Sequence, residues 1–400
     1  MLDKKRGPLE NVRILDISTV FAAPFAASLL GDYGADVIKV EMPGRGDTLR
    51  GMQPTEQAES LPWVAVTRNK KAITLNLKKE KGQELFLRLV KHTDLLFENF
   101  RPGTLDKWGL PIERIREANP DLIIIHVSGY GHTGPARHKA GFGTSATAFS
   151  GYTYLCGYPD RPPLSPPVPL ADYVTGIFAA LGAMVALYHR DTRNGPGQDV
   201  DIALFESLFR ILETVVIEHG YTGAIKERTG NEQTNAAPVG TFQAKDGEWL
   251  ALTTSTNPTF YRLAEVLGRP EMKTDPDYST NEARLLRKDE LHQMIDKWFK
   301  QHTAEEIQQI CDDNGIPVCP VYDIASIFKD PQYKAREAII EMDHPKLGKV
   351  SIPGVVPKFS KTPGTVQSVG PQLGEHNEEV YQQLGITQAE LERYIEEGVI

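Results

Sequence analysis

The sequence predicts an α/β fold, with an open, mainly parallel sheet carrying helices on both faces and a smaller α+β domain after it. Three observations predict it. The first half alternates short β-rich runs with helical patterns, as parallel strands joined by helical crossovers require. From Gly220 to Ala237 the composition turns polar and loop-like, and a new alternating unit begins at Val239. The tail is rich in Pro and Gly and ends in a single helical pattern, residues 388–397, too small to stand alone. We therefore expect a large domain over 1–225, a small domain over 226–325 bounded by Asp330-Pro331, and a return of 326–400 to the large domain.

Each element follows from its pattern. Residues 12–17 read as a buried strand, 22–33 as a helix of small residues, and 35–41 as the next strand. In 73–77 the alternation is strict, with Ile73, Leu75 and Leu77 on one face and Thr74, Asn76 and Lys78 on the other. Leu85, Phe86, Leu89 and Val90 recur at helical spacing, and 95–97 and 122–127 are further strands. A proline-rich stretch, 159–169, leads to Ala171-Asp172-Tyr173 and a helix of Ala, Gly and Leu through His189; another helix is expected over 202–218. Gly247-Glu248 reads as a hairpin turn, with helices over 260–267, 281–302 and 304–314. In such sheets ligands sit beyond the carboxyl ends of the strands, which singles out the segments 18–22, 42–47, 99–103 and 128–134.

Composition narrows the function. A chain of 400 residues that is 40% apolar and 24% charged is an ordinary globular protein. Its net charge of −9, without a long basic tract, argues against nucleic-acid binding. A nucleotide-like polyanion would need local cations, and Arg68-Asn69-Lys70-Lys71 offers them. Three cysteines (Cys156, Cys311 and Cys319) cannot all pair within one chain, and no C-x-x-C occurs. Residues 1–6 are polar and unlike a secretory signal. The longest apolar run, 176–188, is about one third too short for a bilayer, so no membrane partner and a cytoplasmic location are expected.

Gly129-Tyr130-Gly131-His132-Thr133-Gly134 fits G-x-G-x-x-G, but Pro135 follows where a dinucleotide site needs a helix, so we read a multi-glycine turn. The ten histidines form no metal-ligand spacing, and no G-x-S-x-G elbow is present. Asp172 stands at the entry of an apolar helix. It suits an N-cap, and it equally suits a carboxylate kept ionised by the helix terminus for attack on a thioester.

The ordered elements Leu15-Asp16 with Ala23-Pro24, Gly34-Ala35-Asp36-Val37-Ile38-Lys39-Val40-Glu41, and Arg68-Asn69-Lys70-Lys71 are distinctive. Glu98-Asn99-Phe100-Arg101-Pro102-Gly103, Ser128-Gly129-Tyr130-Gly131 and Ala171-Asp172-Tyr173-Val174-Thr175-Gly176 follow them. Together, across essentially the whole chain, they make it resemble the class III CoA-transferase family (CaiB/BaiF), the group of formyl-CoA and carnitine CoA-transferases. The resemblance implies a Rossmann-like large domain built from both chain ends, a smaller domain between them, and an interlocked homodimer. It implies Asp172 as the catalytic aspartate, passing CoA from an acyl-CoA donor to a carboxylic acid through anhydride and thioester intermediates. It implies CoA contacts at Phe21 and Ala22, at Leu75, Asn76, Leu77 and Lys78, at Asn99, Phe100 and Arg101, and at Lys107. CoA and its esters are then substrates, with no cofactor held permanently and no metal. The polar 253–257 segment and Arg137 are candidates for an acceptor's second carboxylate, with succinyl-CoA the leading donor. The chain departs from the family pattern at Phe142-Gly143, where relatives carry an acidic residue, and at Thr253-Thr254-Ser255-Thr256-Asn257, where they carry a glycine-rich loop. The alternatives are an α-methylacyl-CoA racemase and a non-catalytic CoA-binding protein. A racemase needs a histidine base where Phe142 stands, and phenylalanine accepts no proton.

Overall fold

The computed structural model describes residues 7–400; residues 1–6, read above as unlike a signal, lie outside the described residues. The chain divides into two compact units. One comprises the chain up to Thr153, Ser165–Thr222 and Ala335–Ile400; the other comprises Tyr154–Leu164 and Gly223–Lys334.

The larger unit is built on six strands: β1 (Arg13–Asp16), β2 (Asp36–Glu41), β3 (Lys70–Thr74), β4 (Leu95–Glu98), β5 (Ile123–Ser128) and β6 (Asp199–Ala203). They lie in the order β3-β2-β1-β4-β5-β6, and every pair is parallel. This is the doubly wound order, whose reversal between β1 and β4 leaves a crevice beyond their carboxyl ends. The strands are apolar because both faces are covered. Leu15, Leu96 and Ile124 point to one face, where they pack with Leu85, Phe86 and Leu89 of α2 (Glu80–Val90) and Ile115 of α3 (Ile112–Ala118). Their neighbours Ile14, Leu95, Phe97, Ile123 and Ile125 point to the other. There they meet Ala23 and Ala26 of α1 (Ala22–Gly31) and Ala179 and Ala183 of the long helix Leu170–Arg193. Small residues let those two helices approach closely. A Cβ on Gly176 would stand 2.8 Å from the Ala22 carbonyl oxygen.

Most elements fall within a residue or two of the sequence reading, with four corrections. The strand expected at 73–77 ends at Thr74. Leu75 and Leu77 continue as core-filling extended chain, with the Leu75 N–H donating to Glu41 O and the Asn76 N–H to Val399 O. The start of the helix expected at 202–218 is instead β6, where Val200 and Ile202 alternate with Asp199 and Asp201; the helix follows as two pieces, Leu204–Arg210 and Glu213–Thr222. The expected helix 281–302 likewise divides, into Asn281–Leu286 and Lys288–Phe299. Finally, the apolar helix runs for 24 residues, long and apolar enough by composition to cross a membrane, because its ends extend past the run read as too short. It packs along α1 and against β5 in the sheet.

The tail covers the sheet edge at β3. The His376 N–H donates to Ala72 O, Asn377 Oδ1 accepts the Thr74 N–H at 2.8 Å, and the buried Tyr381 hydroxyl donates to Thr74 O at 2.7 Å. Exposed edges invite mispairing, and this one is occupied by the chain's own end.

The smaller unit holds a three-stranded antiparallel sheet of Val239–Gln243, Trp249–Thr253 and Val318–Pro320. Leu250 and Leu252 pack under Leu263, Ile295, Phe299 and Ile307 from its helices. Gly247, at φ +89°, makes the hairpin turn.

Candidate active site

The loop after β1 lies at the reversal point, and side chains from β2 and the loops after β2 and β4 hold Ser18, Thr19 and Val20 of its turn. Lys39 Nζ donates to the Ser18 carbonyl oxygen. Asn99, just past β4, accepts the Thr19 N–H at 2.8 Å and donates to Thr19 O at 2.6 Å. Both oxygens of Asp47 lie 3.2 Å from the Val20 N–H. Val20 has φ +67°, a conformation that a β-branched residue adopts only when its surroundings over-determine it. Beneath the turn, Lys39 pairs with Asp47 at 3.2 Å and Lys70 with Asp16 at 2.7 Å, all fully or almost fully buried. Burial alone would raise the Asp16 carboxyl; Lys39 and Lys70 outweigh it and hold it below its ordinary value. Burial brings Lys70 down to about 8.

The turn delivers Phe21 into a pocket of about 500 Å³ whose wall includes Val20, Met52, Phe142, Gly143, the 165–170 segment and Asp172. Asp172 is not the N-cap. Pro169 takes that place without a side-chain bond, and Asp172 lies in the first turn of the helix Leu170–Arg193. The reason is local: proline at 169 has the fixed backbone that starts the helix three residues earlier than the aspartate suggested. Asp172 sits against a glycine, since a Cβ on Gly143 would stand 2.2 Å from its Oδ2. Burial raises its pKa to about 6, its own backbone N–H opposing only in part. Among the described residues no lysine, arginine or histidine lines this pocket, so Asp172 is its single charged group. Tyr173, beside it, packs edge-on against Phe25 at 4.9 Å and faces Phe21 at 6.0 Å.

The other expected contact residues divide into two groups. Ala22, Leu75 and Leu77 are buried in the core, so their side chains do not meet a ligand. Asn76 accepts the Lys78 N–H at 3.1 Å. Lys78, Arg101 and Lys107 are exposed, with Lys78 Nζ 5.6 Å from the Trp108 ring and Phe100 edge-on to the same ring at 4.8 Å. These form a cationic and aromatic surface around the loop after β4. Arg68, Lys70 and Lys71 are not part of it. They are paired internally with Asp32, Asp16, and Asp36 with Glu379, so the cation cluster read from sequence serves the fold. Sequence reasoning named Gly143, Asp47 and Lys39 only as parts of a motif or loop and gave none of them a part in building the site. Only the position of Asp47 in the loop after β2 signalled it. The glycine-rich motif 129–134 is a turn with Gly131 and Gly134 at positive φ, and no helix opens directly after it.

An ionisable carboxylate in an apolar pocket at the carboxyl end of a doubly wound sheet, in a protein with a cationic surface around the loop after β4, is suited to acyl transfer. Comparison with known proteins agrees. Residues 9–377 match the model of CoA-transferase family III. Succinyl-CoA--D-citramalate CoA-transferase of Chloroflexus aurantiacus is 43% identical over 386 residues, 96% of each chain. The succinyl-CoA--L-malate CoA-transferase beta subunit of the same organism is 42% identical over 94% of each chain. A CAIB/BAIF family protein from Brucella suis has a crystal structure that superposes with a TM-score of 0.83 at 32% identity, covering 95% of this chain and 100% of that one. The chain therefore belongs to CoA-transferase family III, and it is an enzyme that transfers CoA between carboxylic acids.

Proposed function

We propose that Asp172 is the nucleophile, that succinyl-CoA is the donor, and that the acceptor is a dicarboxylic or hydroxy-dicarboxylic acid. The observation that carries the proposal is the Asp172 carboxylate, alone in charge within its pocket and pressed against Gly143. The relatives that act on succinyl-CoA with citramalate or malate support the substrate class.

The chemistry is a double displacement. An Asp172 carboxylate oxygen attacks the thioester carbonyl, the C–S bond breaks, and CoA leaves as thiolate from a mixed anhydride. The thiolate attacks the aspartyl carbonyl, releasing the donor acid and leaving an aspartyl–CoA thioester. The acceptor carboxylate attacks that thioester, expelling the thiolate again and forming a second anhydride. The thiolate then takes the acceptor acyl group, and Asp172 is restored. Burial that leaves the carboxylate poorly solvated makes it a better nucleophile once ionised. Backbone N–H groups near the helix start and in the glycine turns are suited to the developing oxyanions.

CoA itself is proposed to lie beyond β1 and β4, with Phe21, Ala22, Leu75, Asn76, Leu77 and Asn99 to Arg101 beside it and Lys78 and Lys107 meeting its phosphates. A second copy of the chain is proposed as partner, since Ile177, Leu181, Val185 and Tyr188 form an exposed apolar stripe on the long helix. The three cysteines form no disulfide among the described residues, which supports a reducing cytoplasmic compartment. The test is a panel of succinyl-, acetyl- and formyl-CoA against carboxylic acids, following new CoA esters by mass spectrometry. We expect succinyl-CoA to serve with a dicarboxylate, and Asp172→Asn to cut turnover by about 10⁴-fold with CoA binding retained. Full turnover in that variant contradicts the assignment.

A further inference from the structure

Glu98 closes β4 and is buried, and it uses its two carboxylate oxygens separately. Oε2 accepts the Phe100 N–H at 2.7 Å, and Oε1 meets His126 Nδ1 at 2.6 Å. His126 stands directly opposite Glu98 on β5. Its other ring nitrogen faces Asp199 Oδ1 of β6 at 3.7 Å, and Arg116 of α3 holds that same oxygen at 2.6 Å. His132 follows in the loop after β5, with its ring 4.5 Å from that of His126 and its backbone N–H donating to Asp201 Oδ2 at 2.9 Å. The buried Nε2 of His132 has no hydrogen-bond partner and lies 3.6 Å from Glu98 Oε1.

Donor atoms of Glu98, His126 and His132 lie within 4.8 Å of one another, a spacing that also suits a cation. The 2.6 Å contact, however, is a hydrogen bond in which protonated His126 donates from Nδ1 to Glu98 Oε1 and sets its positive charge against that carboxylate. A buried carboxylate without such a partner is costly, and this one sits where the chain turns from β4 into the 99–101 loop. The bonds form a continuous path: His126 to Glu98, Glu98 to the Phe100 N–H, and the adjacent Asn99 to both backbone groups of Thr19. Two residues further on, Phe21 enters the Asp172 pocket.

We infer that Glu98 and His126 form a positioning pair that sets the 99–101 loop, and through Asn99 the turn leading to Phe21, for reception of the CoA ester. The inference rests on the placement of CoA proposed above. Neither residue touches the reacting atoms; both act through the loop. Burial lowers the His126 pKa, but the hydrogen bonds and charges of Asp199 and Glu98 outweigh it and bring it to about 9. His132 is pushed the other way, by burial and then by the His126 charge, so it stays neutral beside the pair. The groups facing His126 are therefore Glu98 on β4, Asp199 on β6 with Arg116 behind it, and His132 with Asp201. As pH rises through about 9 the imidazolium loses its proton, the grip on Glu98 weakens, and CoA affinity falls.

The test is calorimetric titration of the full chain with CoA from pH 7 to 10, with steady-state kinetics on succinyl-CoA, for wild type, Glu98→Gln and His126→Gln. We expect each substitution to weaken CoA binding at pH 7 by about tenfold, as the loss of one charge-assisted hydrogen bond implies. KM should follow while kcat stays within about twofold. The wild-type affinity should break near pH 9, and that of His126→Gln should be flat. Should His126→Gln fail to fold, Asp199→Asn keeps the pair and removes only its outer support, so the break should move to lower pH. Wild-type affinity in Glu98→Gln, or an unmoved break in Asp199→Asn or His126→Gln, overturns the inference. Wild-type protein that binds no CoA overturns the CoA placement as well, an outcome the titration separates from failure of the pair alone.

Discussion

At the scale of the residue, the environment of Asp172 sets what it does. Its pKa is raised to about 6 by burial, so its ionised form is disfavoured in the folded state. Below the unfolded value near 4 both states are protonated and the group contributes nothing to stability. Above about 6 both are ionised, and the folded state bears the full cost. Stability should therefore fall as pH rises between these values, and Asp172→Asn should be more stable than wild type at pH 7 by on the order of 1–2 kcal/mol, measured by urea unfolding. Activity runs oppositely: kcat/KM for succinyl-CoA should drop about tenfold per pH unit below about 6. Gly143 is the second residue on which the site depends. A methyl group there would meet Oδ2 at 2.2 Å, so Gly143→Ala must displace the carboxylate. A displacement near 1 Å costs about a hundredfold in rate, and we expect kcat to show it with little change in KM. The place of Asp172 at the entry of the apolar helix was legible in the sequence; its contact with Gly143 was not, because it joins residues 29 positions apart.

At the scale of the element, the turn after β1 is held by charges that arrive from other strands. Lys39 comes from β2 and Lys70 from β3, and both reach Asp16 at the end of β1. Lys70→Met removes a bond to Asp16 and one to Pro24 O and leaves Asp16 with the Ser18 hydrogen bonds and a single described cation, Lys39, at 3.7 Å. Such a change should cost roughly 3–5 kcal/mol, read from the shift in the denaturation midpoint, because it strands a buried charge. Strands β1, β2, β4 and β5 were legible from apolar runs, whereas β3 lies three residues earlier than its alternation suggested. The edge strand β6 was not, since Asp199 and Asp201 break its apolar character and it reads as the polar start of a helix. The cations of 68–71 illustrate the same limit: sequence shows that charges are present, and only packing shows which carboxylates already neutralise them.

At the scale of the whole molecule, the larger unit is made from both ends of the chain. The tail supplies Val380, Tyr381 and Leu391 to the core and occupies the β3 edge. Deleting residues 377–400 should leave an insoluble or unfolded protein, seen as loss of the monodisperse species on gel filtration. The exposed stripe on the long helix, with Leu181 at 56% and Val185 at 61% exposure, is the face we propose meets a second copy. Leu181→Glu together with Val185→Glu should shift sedimentation from dimer to monomer, and unchanged sedimentation would refute that face. The parallel sheet with helices on both faces follows from the alternation of strands and helices that the sequence carries. How the pocket closes around Asp172 does not, because its wall draws on the turn after β1, Met52, the Phe142-Gly143 pair and the prolines before the helix.

The most direct test of the account is to incubate the protein with succinyl-CoA, quench, digest, and map covalent adducts by mass spectrometry. The account predicts a succinyl or CoA adduct on the peptide containing Asp172, absent in Asp172→Asn and lost on adding an acceptor acid. An adduct on another residue, or efficient transfer by Asp172→Asn, would contradict it.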